Sequence, residues 1–140
     1  MLRTATAPTR GKLAAWVRKQ ARRLTRQKAK RSDDRADHEK WRAMREFVYR
    51  RDLGRSRASG ERLHLSHSNP FLMAHCHHIT YRSAGGQDTP GNLVTLTPEE
   101  HIAEHNGRLD MHGNPDICLH FTSRDRNGRV IREWDSRCPT

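Results

Sequence analysis

FLMAHCHHITYRSAGGQDTPGNLVTLTPEEHIAEHNG, residues 71–107, is the stretch whose reading decides the fold. Phe71 to Ile79 is long enough for a strand and carries His75, His77 and His78. Ser83 to Asn92 is dense in Gly, Pro, Asp and Ser and reads as a turn-rich loop. Asn92 to Leu96, NLVTL, reads as a short second strand. A strong helix start comes next, with Thr97 as N-cap, Pro98 at the first helical position and Glu100 as the capping-box partner. This helix is expected to run to about Asn106, with Gly107 ending it. The predicted order is strand, long loop, strand, helix.

Five of the ten histidines fall inside residues 75–105: His75, His77, His78, His101 and His105. His101 and His105 stand four apart on the capped helix, so both rings leave one face and can share an ion. Neighbouring strand residues point to opposite faces. One of His77 and His78 can therefore bind an ion while the other faces a substrate. An HxxxH pair alone is more often solvated or packed than metal-bound, and adjacent histidines are common. It is their combination with the Gly-rich loop, Asn92 and the capped helix that points to a site.

Outward from this stretch, the C-terminal part reads as a hairpin covering the core. Ile117, Leu119 and Phe121 alternate with polar neighbours, Asn127-Gly128 is a favoured two-residue turn, and Val130 to Trp134 returns. On the N-terminal side two helices are expected. Leu13, Trp16, Val17, Ala21 and Leu24 form a narrow apolar stripe on a helix over about 11–30. Ser32 and Asp33 can cap a second, whose face is Trp41, Met44, Phe47 and Val48 and whose stop is Gly54. Both stripes read as packing. Residues 55–70 are polar and read as a loop.

The net charge of +11 is uneven. Residues 1–32 hold 11 Lys and Arg and no acid, and the remainder holds 16 basic and 16 acidic residues. The excess belongs to an N-terminal arm, residues 1–31, on a neutral body, residues 32–140. Such an arm binds by displacing counterions from phosphates, without reading sequence. Arg18, Lys19, Arg22, Arg23 and Arg26 are the candidate nucleic-acid contacts. A solubilising tail or an organelle transit segment is the blander reading of the same composition.

Hydrophobic residues make up 33% of the chain, or about 40% with glycine, below the usual share. Part of the chain is thus expected to lie outside a packed core. No apolar run reaches the roughly 18 residues of a membrane span, and no secretory pattern opens the sequence. Cys76, Cys118 and Cys138 are odd in number and never in a CxxC pair. A disulfide scaffold and a Cys-type zinc site are disfavoured, and a reducing cytoplasm is the expected location.

HHITYRSAGG (His77 to Gly86), NLVTL and HIAEH (His101 to His105) resemble the HNH endonuclease family, named for its His, Asn and His. MREFVYRRDLGRSRASGERL, residues 44–63, is similar to the family's lead-in, but Ser56 and Ser59 stand where paired zinc cysteines are usual. That departure implies a lead-in held by packing rather than by zinc. NGRLDMHGNPD, Asn106 to Asp116, is similar to the segment after the motif in bacterial members. The resemblance implies an α+β fold with a ββα-metal finger (His-Me finger) core at 71–107. That core would be preceded by two helices and the basic arm, and followed by the hairpin.

By position, the resemblance makes His78 the general base and Asn92 the residue that orients the site. It makes His77, His101 and His105 the metal ligands, although His105 can serve phosphate instead. His75 and Arg82 have softer claims, Arg82 as a phosphate contact. The implied cofactor is one divalent ion, Mg²⁺, Mn²⁺, Ni²⁺ or Zn²⁺. By ligand type, three imidazoles favour transition metals over Mg²⁺.

Such a set suits phosphodiester hydrolysis, which needs a base for water and a cation for charge on phosphorus and the leaving oxygen. An imidazole titrating near about pH 6.5 can accept a proton at neutrality, given that a main-chain carbonyl holds its other nitrogen. The implied partner is DNA, double-stranded, with no membrane. A protein partner, homodimerisation, recognition sequence and biological setting, phage or bacterial, stay open. The alternative is a non-catalytic nucleic-acid-binding module whose histidines hold a structural metal. Structural zinc sites are usually Cys-rich, and such a module has no use for His78 beside His77.

Overall fold

A computed structural model describes residues 10–137, with the side chains of residues 10–14 and 16 outside the description. The chain divides into two units, Met1–Lys40 and Trp41–Thr140. Helix α1 runs Arg10–Arg51 as one element, where the sequence reading expects two helices. The correction has a local cause. No Gly or Pro occurs between residues 12 and 53, and Ser32 does not cap. Its hydroxyl instead donates back to the Ala29 carbonyl at 2.7 Å. Arg35–Glu39 and Asp37–Lys40 pairs brace the same stretch at helical spacing.

Of the first apolar stripe, the Leu13 and Trp16 side chains lie outside the described residues. Val17, Ala21 and Leu24 are exposed. Of the second, Val48 is fully buried, Trp41 and Met44 are half-buried and Phe47 is exposed. Among the described residues no helix is long and apolar enough to cross a membrane. Cys76 and Cys118 are free thiols, and Cys138 lies outside the described residues.

In the second unit, β1 (His75–His78) pairs antiparallel with β2 (Leu93–Leu96), His77 opposite Val94. Helix α2, Pro98–His105, comes directly after β2. The expected capping box is present: the Glu100 N–H donates to Thr97 Oγ1 at 3.1 Å, and the Thr97 N–H to Glu100 Oε2 at 2.8 Å. Phe71 and Leu72 are not strand. Asn69 accepts from the Phe71 N–H and Pro70 opens a short 3₁₀ turn, so the strand starts only at His75.

The remainder is a three-stranded antiparallel sheet in the order β3 (Leu109–Asn114), β4 (Cys118–Arg124), β5 (Val130–Arg137). The expected hairpin is β4–β5, and β3 is an addition. Its turn is a three-residue loop, Arg126–Gly128, rather than two. The Asp125 N–H donates to the Arg129 carbonyl and the Gly128 N–H to Asp125, with Gly128 at φ 80°. That is the geometry of a turn closed by one left-handed residue. Ile117 falls before β4 and is 68% exposed, outside the apolar alternation proposed for it.

The core joins the two halves: Val94 and Leu96 of β2 meet Leu109, Met111, Leu119 and Phe121. Trp134 stacks on Phe121 at 5.4 Å and donates its indole N–H to the Ala58 carbonyl at 2.9 Å.

The lead-in, residues 52–63, is held largely by polar contacts. Asp52 and Arg57 are both buried and pair at 3.2 Å. Asp52 also accepts from the Thr95 N–H of β2 at 2.9 Å and from the Arg51 guanidinium. Arg57 donates to the carbonyls of Pro115 and Ser136 at 2.7 and 2.9 Å. Ser56 is buried and donates to Glu100 at 2.5 Å, tying the lead-in to the cap of α2. Ion pairs and hydrogen bonds thus do the work that the sequence reading assigned to packing.

Candidate metal centre and its flanking histidine

Alternation along β1 sends His75 and His77 toward α2 and His78 to the other face. The ring centre of His77 lies 5.1 Å from that of His101 and 5.2 Å from that of His105. His101 and His105, one turn apart, are 4.6 Å from each other. One donor atom from each of the three lies within 4.8 Å of the others. His77 is 3% exposed, and its Nε2 makes no hydrogen bond. Glu104 Oε2 approaches that nitrogen at 3.0 Å without hydrogen-bond alignment. A buried polar atom without a partner is costly. Three convergent imidazole nitrogens, one of them orphaned, fit a divalent transition ion in chemistry and spacing.

Burial and the neighbouring imidazoles together lower the pKa of His101 to about 4. Burial likewise lowers His77, against the opposing pull of Glu104, and His75. His77 and His101 therefore favour the neutral ring, the form that binds metal. His75 packs at the edge, 5.0 Å from His101.

His78 sits apart from this trio. Its ring lies parallel to Trp41 within 2°, at 5.5 Å, and its Nε2 is 2.7 Å from Asp88 Oδ1. The partner is a carboxylate rather than the main-chain carbonyl expected from sequence. Arg82 is bound to that same Asp88 through two 2.8 Å hydrogen bonds and lies 4.9 Å over the Trp41 ring.

Asn92 fastens the loop between the strands. Its Oδ1 accepts from the Thr80 N–H at 2.8 Å, and its Nδ2 donates to the carbonyls of Thr80 and Gln87 at 2.9 and 3.0 Å. Gly86 allows this closure, since a Cβ there would stand 1.7 Å from the Thr80 oxygen. Arg18, Lys19, Arg22, Arg23 and Arg26 belong to the other unit, exposed along α1. Their spacing puts them on one side of the helix.

Sequence reasoning missed Trp41, Asp88, Glu104 and Tyr81. The Tyr81 hydroxyl donates to Glu104, and partial burial together with that carboxylate pushes the phenol up to about 12. Glu104 lies inside HIAEH, three residues after His101, and that spacing was the available signal. Trp41 was assigned only to helix packing. Asp88 carried no signal beyond its place in a turn-rich loop.

Residues 61–107 match the family model for HNH endonuclease. This stretch holds the three clustered imidazoles, His78, Asn92 and Asp88, and it begins after Ser56 and Ser59. No curated protein and no solved structure matches the chain.

Proposed function

We propose that the protein is a metal-dependent HNH endonuclease that hydrolyses phosphodiester bonds of DNA. The observation that carries this reading is the convergence of His77, His101 and His105, from a strand and a helix, beside a separately held His78. On this reading β1, β2 and α2 are a ββα-metal finger. A divalent ion held by the three imidazoles would supply positive charge against the phosphate and the departing oxygen. His78 faces away from the trio and takes the proton of the attacking water. Asn92 keeps the loop that carries Asp88 and Arg82 in register with β1. Arg82, more than half exposed, is the candidate phosphate contact. Such an enzyme would work in a reducing cytoplasm where DNA is at hand.

The test is nicking of supercoiled plasmid by purified protein with Mg²⁺, Mn²⁺ or Ni²⁺. Cleavage that chelator abolishes supports the reading; metal binding with no cleavage under any ion would favour the non-catalytic module. His101→Ala should weaken metal affinity by about 10-fold or more, measured by titration with Ni²⁺ alone, because one of three imidazole ligands is gone. An unchanged affinity would remove His101 from the ligand set.

The basic arm is assigned to sequence-independent phosphate binding. Deleting residues 1–31 should lower DNA affinity and flatten the slope of log affinity against log salt by roughly 0.9 for each phosphate no longer neutralised. The test is fluorescence anisotropy at several salt concentrations, and an unchanged slope would refute the assignment.

A further inference from the structure

Asp88 has no assigned part in the site, yet it closes a four-residue ring around His78. Its Oδ1 is 2.7 Å from His78 Nε2, while Arg82 donates to both carboxylate oxygens at 2.8 Å. Trp41 completes the ring, with the His78 imidazole parallel to it and the Arg82 guanidinium over it. The loop carrying Asp88 is itself pinned one residue away, where Asn92 binds the Gln87 carbonyl.

We infer that Asp88 is a positioning residue that fixes the tautomer and orientation of His78, leaving Nδ1 as the nitrogen that meets water. An ionised carboxylate only accepts hydrogen bonds, so the nitrogen facing it must carry the hydrogen. In the neutral ring that puts N–H at Nε2 and the lone pair at Nδ1. Trp41 covers one face of the ring and restricts its rotation. Arg82 donates to both carboxylate oxygens, including the one that meets His78, so Asp88 is oriented in turn. A base held this way spends no part of its reactive encounter finding the right tautomer or angle. The catalytic consequence rests on the endonuclease reading above; the tautomer itself does not.

Two readouts separate the two. The first is the ¹⁵N spectrum of the His78 ring in protein without DNA, which distinguishes a protonated from an unprotonated ring nitrogen. Wild type should show N–H at Nε2, Asp88→Ala a mixture of tautomers, and Asp88→Glu a return toward wild type. The second is nicking kinetics. Asp88→Ala should lower kcat by on the order of 10-fold to 100-fold without raising KM, since Arg82 is released toward phosphate. Affinity for Ni²⁺ and the melting temperature should stay near wild type, and Asp88→Glu should restore part of the rate.

An unchanged ring spectrum in Asp88→Ala overturns the inference. So does a rate loss that only tracks reduced metal affinity or impaired folding. Should wild type cut no DNA, the endonuclease reading falls, and the spectrum alone decides whether Asp88 positions the ring.

Discussion

His78→Ala should reduce plasmid nicking by about 10²-fold to 10⁴-fold, the range that a positioned general base contributes. The side chain is on the face of β1 opposite His77, and no other imidazole of the cluster shares its surroundings. Removing it takes away the group proposed to accept the proton but none of the three convergent metal donors. Affinity for Ni²⁺ should therefore stay near wild type, and so should folding. The Trp41 ring loses one stacked face, a contact worth about 0.5–1.5 kcal/mol. Single-turnover nicking at saturating protein, with a metal titration on the same preparation, separates impaired chemistry from impaired metal binding. A variant that cuts at the wild-type rate would refute His78 as the base. One that loses metal as well would place His78 among the ligands.

Asp52→Ala should destabilise the second unit by about 3–5 kcal/mol, the cost of removing one partner from a buried ion pair. Arg57 would be left 3% exposed, with two carbonyl acceptors and no counter-charge. The Thr95 N–H, buried in β2, would lose its acceptor at the same time. Arg51 would lose one of its two carboxylate partners, keeping the more exposed Asp116, while it reaches the carbonyls of Pro90 and Leu93. Urea denaturation followed by tryptophan fluorescence measures the loss, and a change below about 1 kcal/mol would show that water enters and replaces the pair. Because Thr95 pairs with Cys76 across the two strands, metal affinity should fall together with stability. The metal donors lie on β1 and α2, and β2, the strand that Asp52 grips, pairs with the first and leads into the second.

These two substitutions probe different kinds of legibility. That His77, His101 and His105 could cluster was readable because the spacing involved is local: alternation on a strand, one helical turn, and a turn-rich loop between. The cap of α2 was readable for the same reason, since Thr97, Pro98 and Glu100 need only one another. The break expected at Ser32 failed because cap residues signal a helix start only where something stops the preceding helix, and here nothing does. Strand β3 was missed because its flanks, Asn106-Gly107 and Gly113-Asn114, read as turns. Leu109 and Met111 alternate correctly, but only pairing with β4 makes that short run a strand.

By itself, then, the order of residues determined the strand–loop–strand–helix run, the basic arm and the histidines able to meet. Each arises from interactions within a few positions of the chain, or from simple counting of charge. Tertiary structure decided the rest. It chose Asp88 to hold His78, set Trp41 against the imidazole, brought Tyr81 to Glu104 beside the trio, and buried Asp52 with Arg57. An Asp or a Trp looks alike in sequence whether solvated or enclosed. What distinguishes them is the loss of water around the group and the partner that replaces it, and both arise only when distant segments pack.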